Sequence, residues 1–160
     1  KKVLQVTGTA DRQQVLKAHQ SVLKLTGDVA RGQVLFGKKC TTCHKQGETG
    51  HAVGPNLASL TTKSPESLLL AILDPSAAVE GKYLNYVAVT TAGRSLTGIL
   101  ATETGSSITL LAAEGKSESV LRDEIEELRS TSKSLMPDGL EKDLSPQDIA
   151  DVIEFVRSLK

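Results

Sequence analysis

The sequence predicts a mainly α-helical fold with a small antiparallel β insertion, α+β overall. Three observations carry that reading. Apolar residues recur at helical spacing behind helix-capping residues, the texture changes to strand-like alternation at about Tyr83, and a wide helical stripe closes the chain. A length of 160 residues suits one ordinary domain, or one small domain with an insertion, and the change of texture favours the second.

The first predicted helix covers about 12–25, behind Asp11 as N-cap. Val15, Leu16, His19, Val22 and Leu23 form its apolar stripe, and Gly27 follows its end. A second helix starts after Asp28 and carries Val29, Gly32, Val34, Leu35 and Phe36 towards Cys40. A Gly-rich polar loop, 45–56, contains His51 and the Gly54-Pro55-Asn56-Leu57 turn. Ser64 then caps a helix with Pro65 at its first position; Leu68, Leu69, Ile72 and Leu73 are its inner face, and Asp74-Pro75 stops it.

Between about 83 and 128 four segments alternate in the manner of strands. They are Tyr86 to Thr90, Leu96 to Leu100, Ser107 to Leu111 and Ser119 to Leu121, separated by Ala92-Gly93, Thr104-Gly105-Ser106 and Glu114-Gly115-Lys116. A loop over 131–139 leads back through Ser134-Leu135-Met136-Pro137. The last helix begins after Ser145, with Pro146 first and Ile149, Val152, Ile153, Phe155, Val156 and Leu159 on its face. The resulting division is an N-terminal helical extension over 1–27 and a domain over 28–160 that holds the insertion.

Composition excludes several classes. Hydrophobic residues at 39% and charged residues at 24% fit neither a disordered chain nor a membrane protein, and no apolar run is long enough to span a bilayer. With two Phe, two Tyr and no Trp, the core has few large flat groups of its own. The opening Lys1-Lys2-Val3-Leu4-Gln5 lacks a signal peptide's apolar stretch and reads as a mature fragment or a piece of a longer protein. Net charge is zero but uneven: residues 1–60 carry nine basic against three acidic side chains, residues 61–160 ten against sixteen. A neutral total argues against nucleic acid as a partner, and the asymmetry reads as a docking dipole.

Chemistry concentrates at Cys40-Thr41-Thr42-Cys43-His44. Two cysteines three apart with histidine next are the covalent haem-attachment signature. On a helical turn the three side chains stand at i, i+3 and i+4 and face one flat ligand. The competing readings are a disulfide, half of a zinc site and a redox Cys-x-x-Cys. A zinc site needs a second Cys/His pair, and these are the chain's only cysteines; the redox motif belongs in a βα turn, whereas this one ends a helix.

Asp28 to Phe36, the Cys40-x-x-Cys43-His44 motif, Gly54-Pro55-Asn56-Leu57, Met136-Pro137 and the terminal amphipathic helix together resemble a class I cytochrome c. Leu73-Asp74-Pro75-Ser76, Gly93 with Leu96 to Leu100, and Ser134-Leu135-Met136-Pro137-Asp138-Gly139-Leu140 resemble, more narrowly, the haem-binding domain at the C-terminus of large secreted proteins of planctomycetes and verrucomicrobia. The resemblance covers about 28–160.

It implies the cytochrome c fold, one haem c per chain and a distal methionine just before the last helix, where Met136, the only methionine, stands. His51 and His19 are the competing sixth ligands, with a solvated loop residue and a half-buried packing residue as their plainer readings. The resemblance further implies that the Pro55 carbonyl accepts a hydrogen bond from the unligated nitrogen of His44, and that Gly32 and Phe36 pack on Phe155 where first and last helices cross. Leu57, Leu60, Leu68 and Ile72 are implied haem-wall residues. The expected iron ligands are therefore His44 and Met136, and the expected function is electron transfer by a carrier domain, not catalysis.

The expected partners are redox proteins, a fused or associated dehydrogenase among them, with no nucleic acid and no membrane span, in a periplasmic or otherwise extracytoplasmic location. Two rival readings stand beside this one: a haem-based sensor or peroxidase-like enzyme with an open distal site, and a partner-binding module that uses the β insertion.

Overall fold

Helix α1 (Thr7–Ala18) opens the computed structural model, which describes residues 7–77 and 79–160. The first six residues of the expected extension lie outside the described residues. The helix starts upstream of Asp11, so Asp11 is inside it and is not its cap. It also stops sooner than the stripe predicted: the His19 ring lies 2.7 Å from the Val15 carbonyl, and the chain tightens into a 3-10 turn, Gln20–Lys24. The Val15 carbonyl is shared between that ring nitrogen and the His19 backbone N–H, which donates to it at 3.1 Å.

The next helices begin where their caps predict. The Asp28 carboxylate accepts from the Arg31 backbone N–H at 2.8 Å and opens α2 (Val29–Lys39). Ser64 accepts from Ser67 N–H, with Pro65 in first position, at the start of α3 (Pro65–Leu73). The strands follow: β1 (Leu84–Thr90), β2 (Ser95–Glu103), β3 (Ser107–Leu111), β4 (Ser117–Leu121) and β5 (Ile125–Ser134). The chain ends on α4 (Pro146–Ser158), where Ser145 and Asp148 form a reciprocal capping box.

The described residues divide into two compact units. One holds the described residues of Lys1–Phe36, Ala58–Ala78 and Pro137–Lys160; the other holds Gly37–Leu57 and Val79–Met136.

In the helical unit α2 meets α4 at a close crossing. A Cβ on Gly32 would stand 2.0 Å from the Asp151 carbonyl oxygen, so only glycine admits this approach. The Phe36 and Phe155 rings lie 5.2 Å apart, tilted by 58°, a favourable aromatic contact. Asp151, buried at this crossing, accepts from the Asp28 N–H at 2.8 Å, Arg31 Nε at 2.8 Å and Gln147 Nε2 at 2.9 Å. Its pKa is lowered, first by the Arg31 hydrogen bond, against the opposing effect of burial. Arg12 of α1 is also buried and donates to the Leu73 carbonyl at 3.2 Å and to Glu141 at 2.9 Å.

In the other unit the five strands form one antiparallel sheet in the order β4-β3-β2-β1-β5. Its core is Ala88, Ile108, Leu110 and Val120, with Tyr86, Leu96, Leu100, Ile125 and Leu128 packed against it. The sequence predicts about four strands and a loop from 131; the sheet has a fifth strand that reaches Ser134. β5 escaped because its inward residues, Ile125, Leu128, Thr131 and Ser134, recur every third position. Register shifts against β1 at Leu84/Tyr86 and Val89/Thr90, together with the left-handed Ser132, impose that spacing in place of strict alternation.

The described residues therefore form four α-helices and one five-stranded antiparallel sheet that lies between α3 and α4 in the chain, α+β in class.

Candidate functional site

The turn that follows α2 builds the site. Cys43 N–H and His44 N–H both donate to the Cys40 carbonyl, at 3.2 and 2.9 Å, so Cys40 and His44 stand one helical turn apart. The loop then folds back on this turn: His51 N–H donates to Thr41 O at 3.0 Å, and Val53 and Gly54 N–H both donate to Cys43 O, at 3.0 and 2.6 Å. These bonds satisfy carbonyls that a helix C-terminus leaves unpaired, and they bring residues 53–55 beneath His44.

His44 is buried, at 8% exposure, and its Nδ1 lies 2.9 Å from the Pro55 carbonyl oxygen. A carbonyl only accepts, so Nδ1 carries the proton and Nε2 of the neutral ring holds the lone pair. Burial lowers the His44 pKa, with the Pro55 bond opposing, so the ring is neutral near pH 7. Gly54 lies against the same ring, and a Cβ there would meet Cε1 at 2.7 Å.

Cys40 and Cys43 are both free and partly buried. Burial, with a smaller contribution from Cys43, pushes the Cys40 thiol up to about 11. Among the described residues no group of three His, Cys, Asp or Glu side chains stands close enough to hold a metal ion.

Residues 29–85 match the family model for cytochrome c. The match covers α2, the Cys40-x-x-Cys43-His44 motif, α3 and the first two residues of β1, and it supports a c-type cytochrome domain. The cofactor of such a domain is haem c, covalently bound, and the paired cysteines at 40 and 43 fit the attachment motif. A cytochrome c domain is a haem-based electron carrier with redox partners and is typically extracytoplasmic. No curated protein matches the sequence. No helix among the described residues is long and apolar enough to cross a membrane.

The other expected site residues fall in both units. Pro55, Leu57 and Met136 belong with the attachment motif, and Leu60, Leu68 and Ile72 belong to the helical unit. Leu68 is buried, whereas Leu57, Leu60, Ile72 and Met136 are partly buried. Met136 stands two residues beyond β5, and its N–H donates to Ser134 Oγ at 3.1 Å.

Among the rival sixth ligands, His51 is exposed and His19 has its Nδ1 committed to Val15. Two contributors escaped the sequence reading. Gly54 reads as a turn residue but forms the floor under the imidazole. Glu114 reads as a hairpin residue, yet its N–H donates to the Thr42 carbonyl at 2.7 Å. No local pattern announces a contact between positions so far apart in the chain.

Proposed function

We propose that this chain carries single electrons on one haem c bound through Cys40 and Cys43, with His44 and Met136 as axial ligands. The observation that carries the reading is the 2.9 Å approach of His44 Nδ1 to the Pro55 carbonyl. It fixes both tautomer and ring orientation and leaves Nε2 as the donor atom, an arrangement that makes a metal-bound imidazole more basic.

When bound, haem iron with imidazole and thioether ligands supplies a reversible one-electron couple at raised potential. The chain's own residues do the rest. Cys40 and Cys43 hold the group covalently, Pro55 and Gly54 fix the ring of His44, and the Ser134 hydroxyl anchors the backbone that leads to Met136. Leu57 would supply apolar wall within the unit that holds the attachment turn.

The narrower likeness to C-terminal haem domains of large secreted proteins supports an associated dehydrogenase as donor and maturation outside the cytoplasm.

The test is Met136→Ala in protein matured with haem. Loss of the sulfur-to-iron charge-transfer band, a lowered potential and carbon monoxide binding are expected. An unchanged spectrum overturns methionine ligation. Haem extractable by acid-acetone overturns the roles of Cys40 and Cys43.

A further inference from the structure

Helix α2 ends in the attachment turn, where four consecutive carbonyls, from Cys40 to Cys43, need donors. Three of them find donors nearby in the chain: Cys40 O from Cys43 and His44, Thr41 O from His51, and Cys43 O from Val53 and Gly54. The carbonyl between the two cysteines, Thr42 O, accepts instead from Glu114 N–H at 2.7 Å, across about seventy residues of chain.

Glu114 sits in the β3–β4 hairpin, whose turn is closed by Lys116 N–H to Ala113 O at 3.4 Å. Both central residues have positive φ, 62° at Glu114 and 71° at Gly115, so this is a type I′ turn. Glutamate is a poor occupant of its first central position, where asparagine, aspartate or glycine adopts φ > 0 more readily. The strained residue is the one whose N–H reaches Thr42. Its neighbour faces the attachment loop: a Cβ on Gly115 would stand 3.1 Å from Nδ1 of the exposed His51 side chain. The far side of the same sheet carries the other ligand loop, because Ser134, the last residue of β5, pairs with Leu84 and accepts from Met136 N–H.

We infer that the β3–β4 turn is a positioning clamp on the attachment segment, so that the inserted sheet holds the loops of both axial ligands and sets the ligand field of the iron. Glu114 and Gly115 are positioning residues that act through Thr42 and His51. The inference rests on the proposed His44 and Met136 ligation.

A matched pair of variants tests it. Gly93, in the β1–β2 turn, has φ of +83° and nothing within 4 Å of an added Cβ. Gly93→Val and Gly115→Val therefore impose the same backbone penalty, and only the second reaches the attachment loop. In the holoprotein, Gly115→Val should lower hydrogen-exchange protection of the Glu114 amide by about tenfold, the loss of one hydrogen bond. It should also shift the reduction potential and tighten binding of added imidazole at the methionine position. Gly93→Val should leave all three as in the parent.

Equal behaviour of the two variants overturns the inference. So does lost protection with an unchanged potential, since the turn would then be a cap with no hold on the ligands. Where Gly115→Val yields no holoprotein, Gly115→Asn against Gly93→Asn makes the same comparison, because asparagine tolerates positive φ. Failure of methionine ligation is read separately, from the charge-transfer band of Met136→Ala.

Discussion

Gly54 supports the His44 ring along its Nδ1–Cε1–Nε2 edge: a Cβ built there stands 3.0 Å from Nδ1, 2.7 Å from Cε1 and 3.2 Å from Nε2. Gly54→Ala should therefore tilt the imidazole and stretch the Pro55 bond. Overpacking of this kind costs about 1–3 kcal/mol. Chemical denaturation of the holoprotein, followed by haem absorbance, measures the loss; a variant as stable as the parent would show that the ring yields freely.

The two glycines of α2 should respond to alanine with opposite signs. At Gly32 the new Cβ meets the Asp151 backbone oxygen at 2.0 Å, an atom that cannot swing aside, so a loss of about 3 kcal/mol or more is expected. At Gly37 nothing lies within 4 Å, and alanine's better helix propensity should add about 0.5–1 kcal/mol. Paired denaturation curves decide it, and the same sign in both would contradict the crossing geometry.

Asp151 gives the stability an acid limb. Its folded pKa lies below the ordinary carboxylate value, first through the Arg31 bond. The stabilisation is thus fully present above the unfolded pKa of about 3.9 and disappears as pH falls through the lower folded value. Asp151→Asn should cost about 1–3 kcal/mol at neutral pH, and its deficit against the parent should shrink below about pH 4. A deficit that does not vary with pH would assign the cost to packing.

Lys38, Lys39 and Lys45 are exposed beside the attachment turn, within the basic first third of the chain. Transfer to an acidic redox partner should slow as salt rises, and charge reversal at Lys38 and Lys39 should slow association while leaving the potential nearly unchanged. Stopped-flow rates across ionic strength measure both effects. Rates indifferent to salt and to reversal would leave an apolar docking surface.

The legible parts of the fold were those specified locally. Caps at Asp28, Ser64 and Ser145 announce three helices because a short side chain and the nearby N–H groups suffice. The attachment motif is legible because its geometry lies within one turn. What stayed hidden depends on contacts distant in the chain. Arg12 lies outside the apolar stripe read for the first helix, yet it is buried and donates to the Leu73 carbonyl and to Glu141. The Ser/Thr-rich end of β5 reads as a loop because bulges against β1 replace alternation by a period of three. Glu114 carries no local sign of its bond to Thr42.

The pairing of Leu84 with Ser134 has a consequence for how such a chain is built. Antiparallel partners lie about 4.5–5.5 Å apart, so the chain leaves on its detour and returns from it through nearly the same point. Everything in between starts and ends at one pair of neighbouring residues. In assembly, each hairpin from β1 to β4 closes over a few residues, whereas β1 with β5 closes over dozens, and loop-closure entropy puts that zipping last. The strand that leads to Met136 is then the final one to dock.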